Sequence, residues 1–421
     1  MEESIVSKNN VPIYFYGNKH VHGFCICLYI KAGSMYEPDE MNGSTHLWEH
    51  MLFRKLQRIY QGNFYKMLDT LGLSFSAGTY KEFVTVKITG IAKYFREAAK
   101  IISLVFEPNE LTLSEINLEK RRIKSEKHES DEESSLDRFT QKIIWGNTPL
   151  ANSIIGKNKI IDRLGVRALQ DIHDQICSTG NMFFYVTGCF SKEDIFLLCK
   201  HVETYRLSKN EIRQNLAPVP EKFFRRSGQI EIKNSKYDYM RFSFDIDTTR
   251  YTYAELDLIY DILFSGNTSK FYMELSDNTG YIYDFDARLE RYINLGNLYF
   301  SFEINRKNIL PAIKKVIDVL NGLKTGITDE LACVLPQYVD NAELDNDYYE
   351  NLNWNMAYEC HIMQNSYKSI GEKKIEYQSI YPTRIMEIAK EIFTLNNMVI
   401  TLKTNKRAFD LEQAYAITKK L

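Results

Sequence analysis

Apolar residues along the chain fall into short β-like runs separated by longer stretches with helical spacing. Val21 to Lys31 is a β-rich run whose many apolar positions predict a well-buried strand. Gly33-Ser34 and Pro38 break it, and a loop leads to a helix carrying His46, with Ser44 or Thr45 as its expected N-cap. Gly72 opens another extended segment, and Phe83 to Ile91 reads as a strand through Val84, Val86 and Ile88. A helix from Ala92 to Phe106 is stopped by Pro108, and Thr112-Leu113-Ser114-Glu115 is a capping box opening a long, highly charged helix. Met182 to Val186 is a compact apolar strand bounded by Gly180 and Gly188.

The stretch from Arg206 to Arg226 is polar, carries Pro218 and Pro220, and shows no amphipathic period, which predicts a linker near the midpoint. The order of elements then begins again. Strands are expected at Gln229–Lys233 and Met240–Ile246, a helix from about Tyr253 to Phe264, an extended stretch after Gly280, then helices and a strand at Met398–Leu402. Residues recur as well as elements. Asn181-Met182 matches Asn397-Met398, His50-Met51-Leu52-Phe53 matches Asp261-Ile262-Leu263-Phe264, and Tyr65-Lys66-Met67-Leu68 before Gly72 matches Tyr272-Met273-Glu274-Leu275 before Gly280. The offsets are 216, 211 and 208, in the same order along the chain. We therefore expect an α+β protein of two tandem homologous αβ domains, each a mainly antiparallel sheet covered by helices. The expected bounds are 1–208, a linker at 209–227, and 228–421. The length of 421 residues agrees with two domains rather than one.

Composition narrows the class. Hydrophobic residues make up 44% and charged residues 26%, as in an ordinary globular protein. The net charge of −2, from 53 basic and 55 acidic residues, gives no global field toward nucleic acid or an anionic membrane. Seven scattered cysteines with no C-x-x-C pair indicate neither a disulfide framework nor a thiolate metal site. Residues 1–20 hold no apolar run of the secretory kind, and no window approaches transmembrane length, so the expectation is a soluble cytoplasmic protein.

The candidate chemistry lies in His46-Leu47-Trp48-Glu49-His50. On a helix His46 and His50 stand one above the other, so two neutral imidazoles can grip one metal ion. Glu49 edges the same face, where a carboxylate can take a proton from water. This H-x-x-E-H order inverts the better-known zinc-peptidase motif with the same mechanics. In the second copy the matching residues are Asp257, Tyr260 and Asp261, which cannot hold zinc in the same way. Zinc catalysis wants three protein ligands and an open position. The charged helix offers Glu119, Glu126, His128 and Glu129, of which Glu119 and Glu126 share a face two turns apart. The residues alone leave the choice open.

Gly33-Ser34, Glu37, Gly43 and His46 through Phe53 together resemble the signature of the pitrilysin/insulinase metallopeptidases, which include insulin-degrading enzyme, mitochondrial processing peptidase and short bacterial members. The similarity continues in Ile143-Ile144-Trp145-Gly146, Pro149-Leu150, Gly156, Gly180-Asn181-Met182 and Gly188. In that family the third ligand is a glutamate seventy-odd residues after the second histidine, with a supporting glutamate seven residues before it. The resemblance therefore implies Zn²⁺ on His46, His50 and Glu126, with Glu49 as general base and Glu119 in support. It further implies that Ser76, Ala77 and Gly78 lie on a strand whose edge receives the peptide substrate.

The second half departs from the pattern. The family completes its site with an arginine and a tyrosine seven residues apart. Tyr283 fits the tyrosine, but Ser276 stands where the arginine is expected. The resemblance thus implies a zinc metalloendopeptidase of unfolded peptides or leader segments, such as those of peptide natural-product precursors. It would act as the catalytic subunit of a heterodimer with a zinc-free homologue supplying the Arg/Tyr pair, or as a homodimer. The alternative is a non-catalytic or weakly active peptide-binding subunit of such a dimer.

Overall fold

The computed structural model of the protein describes residues 2–108, 110–130, 135–209, 217–344 and 347–421. Of the expected linker, residues 210–216 lie outside the described residues.

The chain opens with strands β1 (Glu3–Val6), β2 (Pro12–Gly17) and β3 (Gly23–Ile30), followed by helices α1 (Ser44–Ile59) and α2 (Phe64–Leu71). Strands β4 (Ser74–Thr79) and β5 (Val84–Ile91) lead to α3 (Phe95–Ser103), α4 (Leu113–Glu129) and α5 (Leu136–Trp145). Then come α6 (Asn158–Ile161), α7 (Val166–Ile176), β6 (Met182–Gly188) and α8 (Lys192–Glu203). The second half begins with β7 (Gln229–Asn234), β8 (Tyr239–Ile246) and α9 (Tyr253–Phe264), then β9 (Asp286–Arg291) and β10 (Gly296–Glu303). It continues through α10 (Ile309–Leu323), α11 (Thr328–Leu344), α12 (Tyr349–Met356), α13 (Ile370–Gln378) and α14 (Pro382–Ile392), ending with β11 (Met398–Thr404) and α15 (Leu411–Thr418).

The elements form two compact units, each with one sheet. In the first the strand order is β1-β2-β6-β3-β5-β4; in the second it is β7-β11-β8-β10-β9. Apart from β1 the two orders match strand for strand. In each sheet one pair is parallel (β2 with β6, β7 with β11) and the other pairs are antiparallel. The repeat seen in the residues is thus a repeat of topology, and the fold is the α+β arrangement of two helix-covered sheets. Among the described residues no helix is long and apolar enough to cross a membrane.

The units are discontinuous in sequence. The first comprises Met1–Glu132, Pro149–Asn215 and Asp345–Tyr367; the second comprises Glu133–Thr148, Leu216–Leu344 and Lys368–Leu421. Helix α12, from late in the chain, covers the outer face of the first sheet. There Leu352 and Met356 pack with Cys25, Cys27, Tyr29, Phe183 and Tyr185. The buried Asn353 fastens it: its amide donates to the Tyr185 carbonyl at 2.8 Å, and the Tyr29 hydroxyl donates to its Oδ1 at 3.0 Å. That cover explains why β3 is buried on both faces and reads as a continuous apolar run rather than an alternating one. In the second unit α5 takes the matching role on β11, with Thr140 and Thr401 hydroxyls 2.6 Å apart and Asp137 paired with Arg241.

Local chemistry accounts for the helix starts, with one correction. The capping box forms as expected at Thr112 and Glu115. The start of α1, however, is not capped by Ser44 or Thr45, both of which lie inside the helix. Its N-cap is Gly43, at φ 93°, and no side chain of its own caps it. Glu37 does this from the preceding loop: its carboxylate accepts the backbone N–H of Gly43 and of Thr45, each at 2.7 Å. A negative charge there also complements the positive end of the helix dipole. Gly43 has no alternative, because a Cβ would sit 2.7 Å from the Gly156 Cα, and the left-handed φ disfavours one anyway.

Candidate metal centre

Helix α1 runs beside α4, and facing residues form a ladder. Residues 46, 50, 54 and 58 lie one turn apart on α1, opposite Glu126, Glu119 and Glu115 on α4. Nε2 of His46 is 3.7 Å from one Glu126 oxygen, and Nε2 of His50 is 3.5 Å from the other. Nδ1 of His50 meets the Glu119 carboxylate at 3.2 Å. Arg54 pairs with Glu119 from the next turn, and Arg58 with Glu115 from the one after. Arg122 approaches Glu119 at 3.4 Å from its own helix.

His46, His50 and Glu126 are a trio whose candidate ligand atoms all lie within 4.8 Å of one another. Two imidazole nitrogens and one carboxylate oxygen are the donor types zinc takes at three-ligand sites. The residues present fit that ion. His128 and Glu129, the other ligand types at this end of α4, are exposed and outside the trio.

Burial and neighbouring charges set the protonation of the group. Burial pushes the His46 imidazole down to about 4, helped by the charge of His50, which leaves a neutral ring with a lone pair to give. Burial opposes the charged form of His50 too. There the hydrogen bonds to Glu119 and Glu126 prevail and push it up to about 9, so ligation requires loss of that proton. Glu119 has only 2% of its side chain exposed. Burial alone would raise its carboxyl, but His50 and Arg54 hold it below the usual range. A histidine ligand whose second nitrogen faces a fixed carboxylate is held in tautomer and orientation.

Glu49 is bonded to the sheet. Burial pushes its carboxyl up, while the Thr79 hydroxyl, donating to Oε2 at 2.8 Å, pulls it back. Thr79 ends β4, the free edge of the first sheet, and the sequence-predicted residues Ser76, Ala77 and Gly78 precede it on that strand. Among the described residues they pair with Lys87, Val86 and Thr85 of β5 on one side only.

The far side of α1 is anchored by polar groups in the core. The buried Lys55 donates to the carbonyls of Val105 and Glu107, both at 2.8 Å, and burial brings its pKa down to about 8. Trp48 donates to Nδ1 of His173 at 3.2 Å. The metal-facing side is therefore set by a helix that cannot easily rotate.

In the second unit, Asp257, Tyr260 and Asp261 occupy the matching positions on α9. Asp257 pairs with Arg291 of β9 and accepts the Tyr338 hydroxyl from α11 at 2.7 Å. Tyr260 donates to the Ala287 carbonyl at 2.8 Å, and Asp261 accepts from Ser265. Tyr283 is 94% exposed in this unit, and its carbonyl accepts the Ser276 hydroxyl at 3.2 Å.

Sequence reasoning did not single out Arg54 or Thr79 and gave Glu37 no role. Arg54 was within reach, because it continues the four-residue row of His46 and His50. Glu37 and Thr79 act across loops and strands, where no period announces a contact.

Comparison with known proteins agrees with this architecture. A profile described as insulinase (peptidase family M16) matches residues 18–158, and one described as peptidase M16 inactive domain matches residues 163–331. An uncharacterised zinc protease of Rickettsia felis is 24% identical over 184 residues, covering 43% of this chain and 44% of that protein. Subunit beta of the mitochondrial-processing peptidase of Rattus norvegicus is 26% identical over 157 residues, covering 37% and 32% respectively. The matched stretches thus span less than half the length of these two relatives. Among solved structures, a protease from Helicobacter pylori superposes with a TM-score of 0.86 at 16% identity, over 96% of this chain and 99% of that one. Two matched profiles in tandem, on two units of repeated topology, place this chain in the insulinase family of peptidases, family M16.

Proposed function

We propose that the chain is a zinc metalloendopeptidase acting on extended peptides or leader segments in the cytoplasm. The observation that carries this reading is the convergence of His46, His50 and Glu126 beside a separately held Glu49. His46, His50 and Glu126 would hold the ion, which when bound supplies a Lewis acid that activates water and polarises the scissile carbonyl. Glu49 then accepts the proton of the attacking water and delivers it to the leaving amine. Glu119 keeps His50 aimed. The free edge of β4 at Ser76, Ala77 and Gly78 is suited to take an extended peptide by main-chain hydrogen bonds, and small side chains let that backbone come close. Seven scattered cysteines with no C-x-x-C pair agree with a reducing compartment.

The proposal includes a partner. Tyr283 fits the tyrosine that the family resemblance calls for, but Ser276 stands where its arginine is expected and brings no cation, so the carbonyl-stabilising pair is incomplete in this chain. Loss of one such donor costs about a hundredfold or more in rate. A zinc-free homologous subunit carrying an Arg/Tyr pair would complete it; the relative named as subunit beta comes from a peptidase of more than one subunit. Ser276 also favours one second reading, in which the chain is a weakly active peptide-binding subunit. The test is metal analysis and peptide cleavage by wild type and Glu49→Gln, alone and with any homologue encoded nearby. The peptidase reading requires zinc in both proteins and turnover only in wild type. Unchanged turnover in Glu49→Gln would remove Glu49 as the base, and full activity without a partner would sink the heterodimer.

A further inference from the structure

We infer that Thr79 is a positioning residue for Glu49: its hydroxyl holds one carboxylate oxygen, Oε2, so that the other faces the ligand trio. This rests on the peptidase reading above. Glu49 is buried, and the Thr79 hydroxyl donates to its Oε2 at 2.8 Å, with the Thr79 main chain adding a weaker hold. A glutamate with three rotatable bonds and no such partner has no fixed aim. Thr79 has a stiff χ1, since two heavy atoms branch at its Cβ. Its backbone is held opposite Val84 in the β4–β5 ladder. The donor therefore arrives from a rigid strand, and its position is independent of the helix that carries the base and both histidines.

The second unit shows that the tie is more than a packing habit. There the residue matching Glu49, Tyr260, also reaches the edge strand, but its own hydroxyl donates to the main-chain carbonyl of Ala287. Helix and edge strand are joined in both halves. At this matched position the first unit alone has a bond running from strand side chain to helix carboxylate, which leaves the carboxylate able to accept a proton at its other oxygen. Thr79 also directly follows Ser76-Ala77-Gly78, so a peptide on that edge would end beside the group that orients the base.

The test uses Thr79→Val, which keeps the shape and β-branching and loses the donor, and Thr79→Ser, which restores it. Both are measured in the full chain with an internally quenched library of unstructured peptides. Expected for Thr79→Val is a fall in kcat of about 10- to 100-fold, the worth of one hydrogen bond to a charged group, with KM within about twofold. Zinc content and melting temperature should match wild type, and Thr79→Ser should recover most of kcat. In a Glu49→Gln background, Thr79→Val should slow turnover no further. It should also leave unchanged the affinity, by fluorescence anisotropy, for a fluorescein-labelled copy of the best-cleaved library peptide. Unchanged kcat in Thr79→Val, no recovery in Thr79→Ser, or a loss that follows zinc content, melting temperature or peptide affinity would each overturn the inference. If Glu49→Gln itself stays active, the peptidase reading fails first; if it is inactive while Thr79→Val is fully active, only the role of Thr79 fails.

Discussion

Helices α1 and α9 occupy the same place in two sheets whose strand orders match apart from β1, yet among the described residues only α1 belongs to a trio that could hold a metal ion. On α1, two imidazoles face a carboxylate from the crossing helix α4. On α9, the matching Asp257 faces the Arg291 guanidinium from the edge strand and the Tyr338 hydroxyl from the crossing helix α11. Both sites draw partners from the same two directions. They differ in whether the charge is already balanced within the protein. Arg291 cannot give up its proton, so the carboxylate of Asp257 is permanently occupied. The imidazoles of α1 can lose theirs, and a cation can take the place. The scaffold supplies the geometry in both halves, and the protonation chemistry decides which half is a metal centre.

The comparison breaks most visibly with the ligands. His50→Ala should abolish stoichiometric zinc, read by atomic absorption, while Asp257→Ala should leave zinc content at the wild-type level. Zinc lost with Asp257→Ala would show that the second unit is not independent of the first unit's site. A smaller effect belongs to support: Glu119→Gln keeps the ligands but weakens the hold on His50. Competition against a chelator should then show zinc affinity lowered by about 10- to 100-fold. The counterpart in the second unit is structural: Asp257→Ala removes the carboxylate partner of a largely buried Arg291. We expect a loss of about 2 kcal/mol in urea denaturation, below the range for fully buried pairs because Asp257 is partly exposed.

The last contrast lies in the covers of the two sheets. Glu82 is buried beneath the segment after α12, where the Tyr358 hydroxyl donates to it at 3.0 Å, and burial pushes its carboxyl up to about 8. Folded protein therefore keeps a proton that the unfolded chain releases near 4.5, and the first unit should lose stability as pH rises from 4.5 toward 8. Glu82→Gln should flatten that part of the profile, measured by denaturation at pH 5 and pH 8. An unchanged slope would remove Glu82 as its source. The cover of the second sheet is tied instead by the ion pair of Asp137 with Arg241.

How far the sequence could be read depended on whether a contact was local. His46, Glu49 and His50 share one helix, so their spacing alone put them on neighbouring faces. Thr112 and Glu115 announced the start of α4 because a capping box is complete within four residues. The repeat offsets predicted two copies, and the matching strand orders are that repeat in three dimensions. Glu126 came from family resemblance, since spacing could not separate it from His128 or Glu129. The cap of α1 was misread because Ser44 and Thr45 are good capping residues, while the group that does the work, Glu37, lies before the Gly43 turn.

The sequence by itself determined the ligand row, the helix starts with local signals, and the presence of a second copy without metal chemistry. These follow from helical period and side-chain type, which any short window contains. Only the tertiary structure decided what closes around that row: Arg54 behind Glu119, Thr79 against Glu49, Glu37 under the helix start. It also decided that α5 and α12 cover the sheets of the opposite halves. A strand buried on both faces reads as apolar whichever helix covers it, and a hydrogen bond between distant residues leaves no period in the chain. Those choices are made when the sheets find their covers.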